Sequence, residues 1–259
     1  SWLISIWSDQ HPEVIGIGEA SIIKTLSPDW SGQFEAKVAE VCHSINTYVN
    51  SLDSLRNYPS ILLAIETALL DLKYGGKGII YPSEFTSKQS PISINGLIWM
   101  GNKSFMEQQI DSKINEGFTC IKLKIGAIDF STELQILKDI RSRYSADTIE
   151  LRVDANGAFS PEDALLKLEQ LSKLQLHSIE QPIKQGQINE MADLCEKTPL
   201  PIALDEELIG IFDVTKKEEL LQIINPQFII LKPSLVGGFK GSEEWIKIAN
   251  EKDIGWWIT

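Results

Sequence analysis

Five short candidate strands in this sequence each end on a charged side chain. Lys124 follows Cys120-Ile121-Lys122-Leu123, Asp154 follows Glu150-Leu151-Arg152-Val153, and Glu180 follows His177-Ser178-Ile179. Asp205 follows Pro201-Ile202-Ala203-Leu204, and Lys232 follows Phe228-Ile229-Ile230-Leu231. One charge at a strand end is ordinarily a solvated residue or half of an ion pair. Recurrence at equivalent positions changes that, because the C-terminal rim of a barrel is where such folds place an active site. Three carboxylates brought together there repel one another unless a cation sits between them, and all-oxygen ligation suits a hard ion such as Mg2+. The lysines then fall on either side of the ion. A lysine near a divalent cation and a second lysine can have its pKa lowered toward neutrality, as general-base work near pH 7 requires.

The elements that must position these residues follow from periodicity. Strand side chains alternate between faces, so Lys122 and Lys124 share one face while Ile121 and Leu123 share the other. The same rule puts Arg152 and Asp154 opposite Leu151 and Val153. If the apolar side packs on helices, the charged side points into a barrel, where a charge is costly unless it is paired or sits at the mouth. Strands are expected at 92–98, 119–124, 149–154, 177–180, 201–205, 227–232 and 253–258. Amphipathic segments separate them, with caps such as Ser160-Pro161-Glu162-Asp163, where Ser160 can cap and Pro161 can occupy the first turn. Each unit takes roughly 30 residues, the repeat of a TIM-type (β/α) barrel. No G-x-G-x-x-G follows any strand, which argues against a doubly wound dinucleotide fold.

Ahead of the barrel the texture differs. Trp2, Ile4 and Ile6 alternate, Ser8 to Pro12 can turn, and Val14 to Glu19 can return as a second strand of a hairpin. Two helices should follow, one carrying Phe34, Val38, Val41, Cys42, Ile45 and Val49, the other carrying Leu62, Ile65, Ala68, Leu69 and Leu72 after Pro59-Ser60. The Gly75-Gly76-Lys77-Gly78 cluster and Pro82 then punctuate the chain. The expected division is an α+β capping domain over residues 1–90 and a barrel domain over 91–259 with strands one to seven. A barrel of seven strands is incomplete at its C-terminus and leaves two edges unpaired, so a longer natural protein with an eighth strand is expected.

Composition narrows the classes. A net charge of -12 opposes phosphate backbones, and no basic cluster offsets it, so nucleic acid is not an expected partner. No apolar run approaches the roughly 20 residues that cross a bilayer. The segment Ser1 to Trp7 lacks the charged start and cleavage site of a signal peptide, so the expected location is cytoplasmic. A small-molecule carboxylate is the expected partner, with a homo-oligomer possible. Cys42, Cys120 and Cys195 lie outside any C-x-x-C pattern and are expected to be buried free thiols.

The motifs carry a family resemblance. Ile121-Lys122-Leu123-Lys124, Val153-Asp154-Ala155-Asn156, Ile179-Glu180-Gln181-Pro182, Leu204-Asp205-Glu206 and Leu231-Lys232-Pro233 with Val236-Gly237-Gly238 resemble the K-x-K, D-x-N, E-Q-P, D-E and K motifs of the enolase superfamily. Their order and spacing are similar to the muconate-lactonizing subgroup. The superfamily uses a Lys or His base with Mg2+ to stabilise an enediolate. The resemblance implies Asp154, Glu180 and Asp205 as Mg2+ ligands, Lys124 as the acid/base lysine, Lys122 as its companion and Lys232 as the lysine on the opposite face. Asn156 and Glu206 match supporting positions, Arg152 matches an arginine of some members, and Gly237 and Gly238 join the substrate-binding or supporting set. His11, His43 and His177 all lie away from the ends of strands six and seven, a departure from the mandelate-racemase subgroup. The family usually has another strand ahead of Trp2 to Trp7 and continues beyond the seventh barrel strand.

Within the subgroup, Asn95 to Gly101, Ser178 to Ile183, Leu204 to Gly210 and Gly255 to Thr259 resemble the o-succinylbenzoate synthases. Gly18-Glu19-Ala20, with Leu26-Ser27-Pro28, resembles a capping loop that closes over substrate. The implied reaction is a hydro-lyase step of menaquinone biosynthesis, a syn elimination of water from a cyclohexadiene carboxylate bearing a succinyl side chain. N-succinylamino acid racemase, dipeptide epimerase and muconate cycloisomerase chemistry would use the same lysines and metal. A non-catalytic binding protein retaining the fold is the alternative of another class, opposed by the intact charges, since a relic has no reason to keep them buried.

Overall fold

A computed structural model describes residues 1–259. The chain opens with an antiparallel hairpin, β1 (Trp2–Ser8) and β2 (His11–Ala20). Its inner face carries Ile4 and Ile6 on β1 and Gly16, Gly18 and Ala20 on β2. The glycines are there for a helix: a Cβ on Gly16 would lie 1.9 Å from Ala68 O, and one on Gly18 1.8 Å from Ala64 O. Two residues along a strand thus match one turn along α3 (Pro59–Lys73), which lies directly on the hairpin. α1 (Phe34–His43) and α2 (Ile45–Val49) close a small core of Phe34, Val38, Val41, Leu55, Ile61 and Ile65.

One continuous helix through 34–49 was the expectation, and the structure corrects it. The helix breaks at Ser44, and the new direction lays Ile45 and Tyr48 against the core while Val49 stays exposed. Cys42 is exposed rather than buried, because it follows the buried Val41 and so faces away from the core; Cys120 is half-buried and only Cys195 is fully buried. All three are free.

No helix or strand occurs between Lys73 and Gly96. The barrel portion then alternates β3 (Gly96–Ile98), α4 (Lys103–Asn115), β4 (Cys120–Lys124), α5 (Phe130–Arg143), β5 (Glu150–Asp154), α6 (Pro161–Ser172), β6 (Ser178–Glu180), α7 (Ile188–Lys197), β7 (Ile202–Leu204), α8 (Val214–Ile224), β8 (Phe228–Leu231), α9 (Pro233–Val236), α10 (Gly238–Glu251) and β9 (Gly255–Ile258). Ser160 caps α6 by accepting from Asp163 N at 3.3 Å, with Pro161 in the first turn. The first strand begins at 96 rather than 92; Ile92 and Ile94 are exposed and gain nothing from pairing.

Every strand of this sheet pairs in parallel with its sequence neighbours, in the order β3-β4-β5-β6-β7-β8-β9. A doubly wound sheet would reverse order at a switch point, so the topology is that of a (β/α) barrel seen as an open arc. Its outward residues, among them Ile121, Leu123, Leu151, Val153, Ile179, Ile202, Leu204, Ile229 and Leu231, are buried in one core with the helices. The inner face carries the charged strand-end residues together with apolar Ala203 and Ile230. No helix is long and apolar enough to cross a membrane.

Candidate active site

Strand register sets the first row of the site. Lys124 lies opposite Asp154, and Asp154 lies opposite Glu180, so three charged side chains from β4, β5 and β6 stand level at the strand ends. One step below, Lys122 lies opposite Arg152, which lies opposite Ser178. Asp205 and Lys232 follow the last residues of β7 and β8, the stagger expected where strands tilt around a barrel.

The side chains then pair across strands. Lys124 Nζ donates to the Asp154 carboxylate and to Asn156 Oδ1 at 2.8 Å. Lys122 Nζ donates to Glu180 and lies 3.0 Å from Asp154 Oδ2. Lys232 Nζ donates to Asp205 and stands 3.9 Å from Glu180 Oε1. Asp154, Glu180 and Asp205 are all buried. Lys124 and Lys232 thus stand on either side of three buried carboxylates.

The three carboxylates lie side by side, Lys122 reaching both Asp154 and Glu180 and Lys232 reaching both Glu180 and Asp205. Each is met by a lysine, because a buried carboxylate takes the nearest ammonium. The Lys122 pKa is raised. Burial opposes its charge, but Glu180 and then Asp154 outweigh that. Burial likewise opposes ionisation of Asp154, yet Lys122 and Lys124 hold it below the usual carboxylate range.

The residues nevertheless fit a hard divalent ion. Burial, and then the neighbouring Asp154, push the Glu180 carboxyl up to about 9. Its Oε1 is buried without a hydrogen-bond partner, as is Glu206 Oε2. Burial, then Asp205, also raises Glu206. Four carboxylates meet only three ammoniums here, so the site is short of positive charge and offers oxygen donors only.

Supporting residues hold this arrangement from behind. Asn156 sits at φ +45°, a left-handed conformation that Asn tolerates better than most residues. Its backbone N–H donates to Asp154 Oδ1 at 3.0 Å, and its Nδ2 donates to Glu206 Oε1 at 2.8 Å. Sequence reasoning passed over Gln181 and Glu207. Gln181 is buried at φ +38°. Its Oε1 accepts from Asp205 N at 3.2 Å and Glu207 N at 3.3 Å, while its Nε2 donates to Ile183 O at 3.1 Å and Glu207 Oε2 at 3.0 Å. Gln181 therefore ties the end of β6 to the turn carrying Asp205. The available signal was a polar side chain between Glu180 and Pro182, where the backbone has little freedom.

Other sequence candidates lie elsewhere. Arg152 donates to Glu150 Oε1 at 2.6 Å and stacks 4.4 Å from the Trp257 ring, below the rim and beside His177 and Phe228. Gly237 and Gly238 lie at the start of α10, where Gly238 meets Glu66 of α3 rather than the carboxylates. Trp256 is on the outer face, its Nε1 donating to Asn250 Oδ1 at 3.0 Å. The segment resembling a capping loop is tethered by Asp29, which accepts from Ser60 N at 3.1 Å and from the Ser60 hydroxyl. Pro28 in that loop approaches Gly210, in the segment that follows Asp205 and Glu206.

Residues 106–259 match the family described as enolase C-terminal domain-like. The o-succinylbenzoate synthase of Desulfotalea psychrophila (strain LSv54 / DSM 12343) is 48% identical over 226 residues, 87% of this chain and 61% of that protein. The L-Ala-D/L-Glu epimerase of Bacillus subtilis (strain 168) is 22% identical over 92% of this chain and 64% of that protein. The chain thus spans less than two thirds of the length of these relatives. Among solved structures, MenC from Desulfotalea psychrophila LSv54 superposes with a TM-score of 0.87 at 41% identity, over 100% of this chain and 80% of that one. The muconate lactonizing enzyme from Pseudomonas putida gives 0.76 at 24% identity, over 98% of this chain and 73% of that one, a likeness of fold alone.

Proposed function

This chain belongs to the enolase C-terminal domain-like family, and from that premise we propose that it carries the site of an o-succinylbenzoate synthase-type dehydratase, with residues 1–90 as capping domain and 91–259 as barrel domain. The observation that carries the reading is the pair Lys124 and Lys232 on either side of Asp154, Glu180 and Asp205. The relative from Desulfotalea psychrophila that bears the synthase's name supports it. The step belongs to menaquinone biosynthesis and takes place in the cytoplasm.

Asp154, Glu180 and Asp205 would hold Mg2+, which when bound supplies fixed positive charge for a substrate carboxylate. Lys124, oriented by Asn156, removes the proton on the carbon next to that carboxylate. Lys232 stabilises from the opposite side the negative charge that develops. Protonated Lys124 then returns the proton to the departing hydroxyl on the same face, so one C–H and one C–O bond break and water leaves. Lys122 stays protonated and balances Asp154 and Glu180. The product ring is aromatic, which makes the elimination downhill.

A two-base racemase is the second reading, favoured by one feature: Lys124 and Lys232 are each paired to an aspartate. Offering the purified protein the hydroxylated succinyl-cyclohexadiene carboxylate, with Mg2+ or with a chelator, tests both. An aromatic product that forms with Mg2+ and stops with chelator is expected. No aromatic product, together with racemisation of N-succinylamino acids or dipeptides, would replace the dehydratase by the racemase.

A further inference from the structure

The backbone that carries Lys232 runs straight into a helix it does not cap itself. Lys232 O accepts from Leu235 N at 2.8 Å and Val236 N at 3.1 Å, starting the single turn of α9. α9 ends at Gly237, and α10 begins at the next residue with no side chain of its own capping it. The first N–H groups of a helix need acceptors from elsewhere. Glu66, 173 residues away from Phe239 on α3, provides them: Oε2 accepts from Phe239 N at 2.6 Å and Oε1 from Lys240 N at 3.3 Å. A carboxylate is also the sign that the helix dipole favours there.

The turn is shaped to that carboxylate. Gly238 has φ +70°, and a Cβ on it would lie 2.2 Å from Glu66 Oε2 and 3.2 Å from Leu62 Cγ. Two further residues of the N-terminal body reach the same stretch, Asp53 to Lys240 at 2.6 Å and Arg56 to Glu244 at 3.3 Å. These pairs are more exposed and contribute less.

We propose that Glu66 is a positioning residue for Lys232: by capping α10 from the N-terminal body it fixes the Pro233 to Gly238 turn and, through it, the ammonium beside Asp205. The proposal rests on Lys232 having the electrostatic role given to it above. Glu66 touches no reacting atom. Its consequence is that the Lys232 side of the site is in place only while α3 is docked on α9 and α10.

Hydrogen exchange and steady-state kinetics on Glu66→Ala and Glu66→Gln in the full chain test this. In Glu66→Ala, amide exchange over residues 232–243 should accelerate by about tenfold or more, while 120–128 and 150–158 exchange as in the wild type. Turnover should fall roughly 10- to 100-fold, mainly in kcat, as a misplaced stabilising group predicts. Glu66→Gln keeps one acceptor oxygen and should recover part of both, and it carries the same comparison if the alanine variant does not fold. Adding Glu66→Ala to Lys232→Ala should cost nothing further. Unchanged exchange over 232–243, equal acceleration along the whole chain, or multiplicative defects in the double variant overturns the proposal. A wild-type protein without turnover sinks the dehydratase reading instead, and the exchange pattern still decides whether Glu66 positions this turn.

Discussion

Beyond Lys124 the backbone turns through Gly126, at φ +93°, and the N–H groups of Gly126 and Ile128 donate to Glu133 Oε1 at 2.7 and 3.4 Å. Beyond Lys232 it turns through Gly237 and Gly238, at φ +105° and +70°, and the N–H groups of Phe239 and Lys240 donate to Glu66. The two turns meet one need, acceptors for backbone donors just past a strand, with a carboxylate. They differ in where it comes from. Glu133 belongs to α5, the helix that follows Lys124 in the same strand-helix unit, whereas Glu66 belongs to the N-terminal body. One flank of the site is therefore a local construction of the barrel, and the other is completed by a contact across the molecule. Chemistry assigned to Lys124 should tolerate loss of that contact; chemistry assigned to Lys232 should not.

The largest effect expected is at the lysines themselves. Lys124→Ala should cut turnover by about 10²- to 10⁴-fold and stop exchange of the substrate α-proton with solvent deuterium. Lys232→Ala should slow product formation by roughly 10²-fold while exchange continues. Equal exchange defects in the two variants would erase the functional difference between the flanks and favour the racemase.

A smaller effect should separate the two clamps. Glu133→Ala hands the Gly126 and Ile128 donors to water and should cost about 1 kcal/mol in urea unfolding. It should also slow α-proton exchange, and by more than Glu66→Ala does. If Glu66→Ala slows exchange as much as Glu133→Ala does, the clamps are not tied to separate lysines.

The smallest effect is in the pH dependence of stability. Burial is the leading cause that raises both Glu133 and Glu66 above the usual carboxylate range. The folded chain then holds these protons more tightly than the unfolded chain, so stability declines as pH rises from the ordinary value of 4.5 through the raised ones. Glu133→Gln and Glu66→Gln should each flatten part of that decline in thermal unfolding between mildly acidic and neutral pH. Slopes identical to the wild type would mean that neither carboxyl titrates differently on folding.

Much of this site was legible without coordinates. Alternation along Cys120 to Lys124 and Glu150 to Asp154 put the right side chains on the inner face, because strand periodicity is a property of neighbouring residues. The apolar runs Pro201 to Leu204 and Phe228 to Leu231 marked buried strands for the same local reason. What sequence reasoning missed, Gln181 and Glu207, bonds to partners that lie on other strands and turns. Arg152 was on the correct face, but its partners Glu150 and Trp257 draw it below the rim.

The identity of the five rim charges, the faces they share and the succession of strand and helix were thus determined by the sequence alone, since each depends on residues a few positions apart. Only the tertiary structure decided that the helix after Phe34 breaks at Ser44, that each carboxylate pairs with a lysine of another strand, and that Glu66 caps the helix after Lys232. These outcomes depend on which distant groups packing brings within hydrogen-bond reach, and a buried donor or charge accepts whichever partner the whole fold delivers.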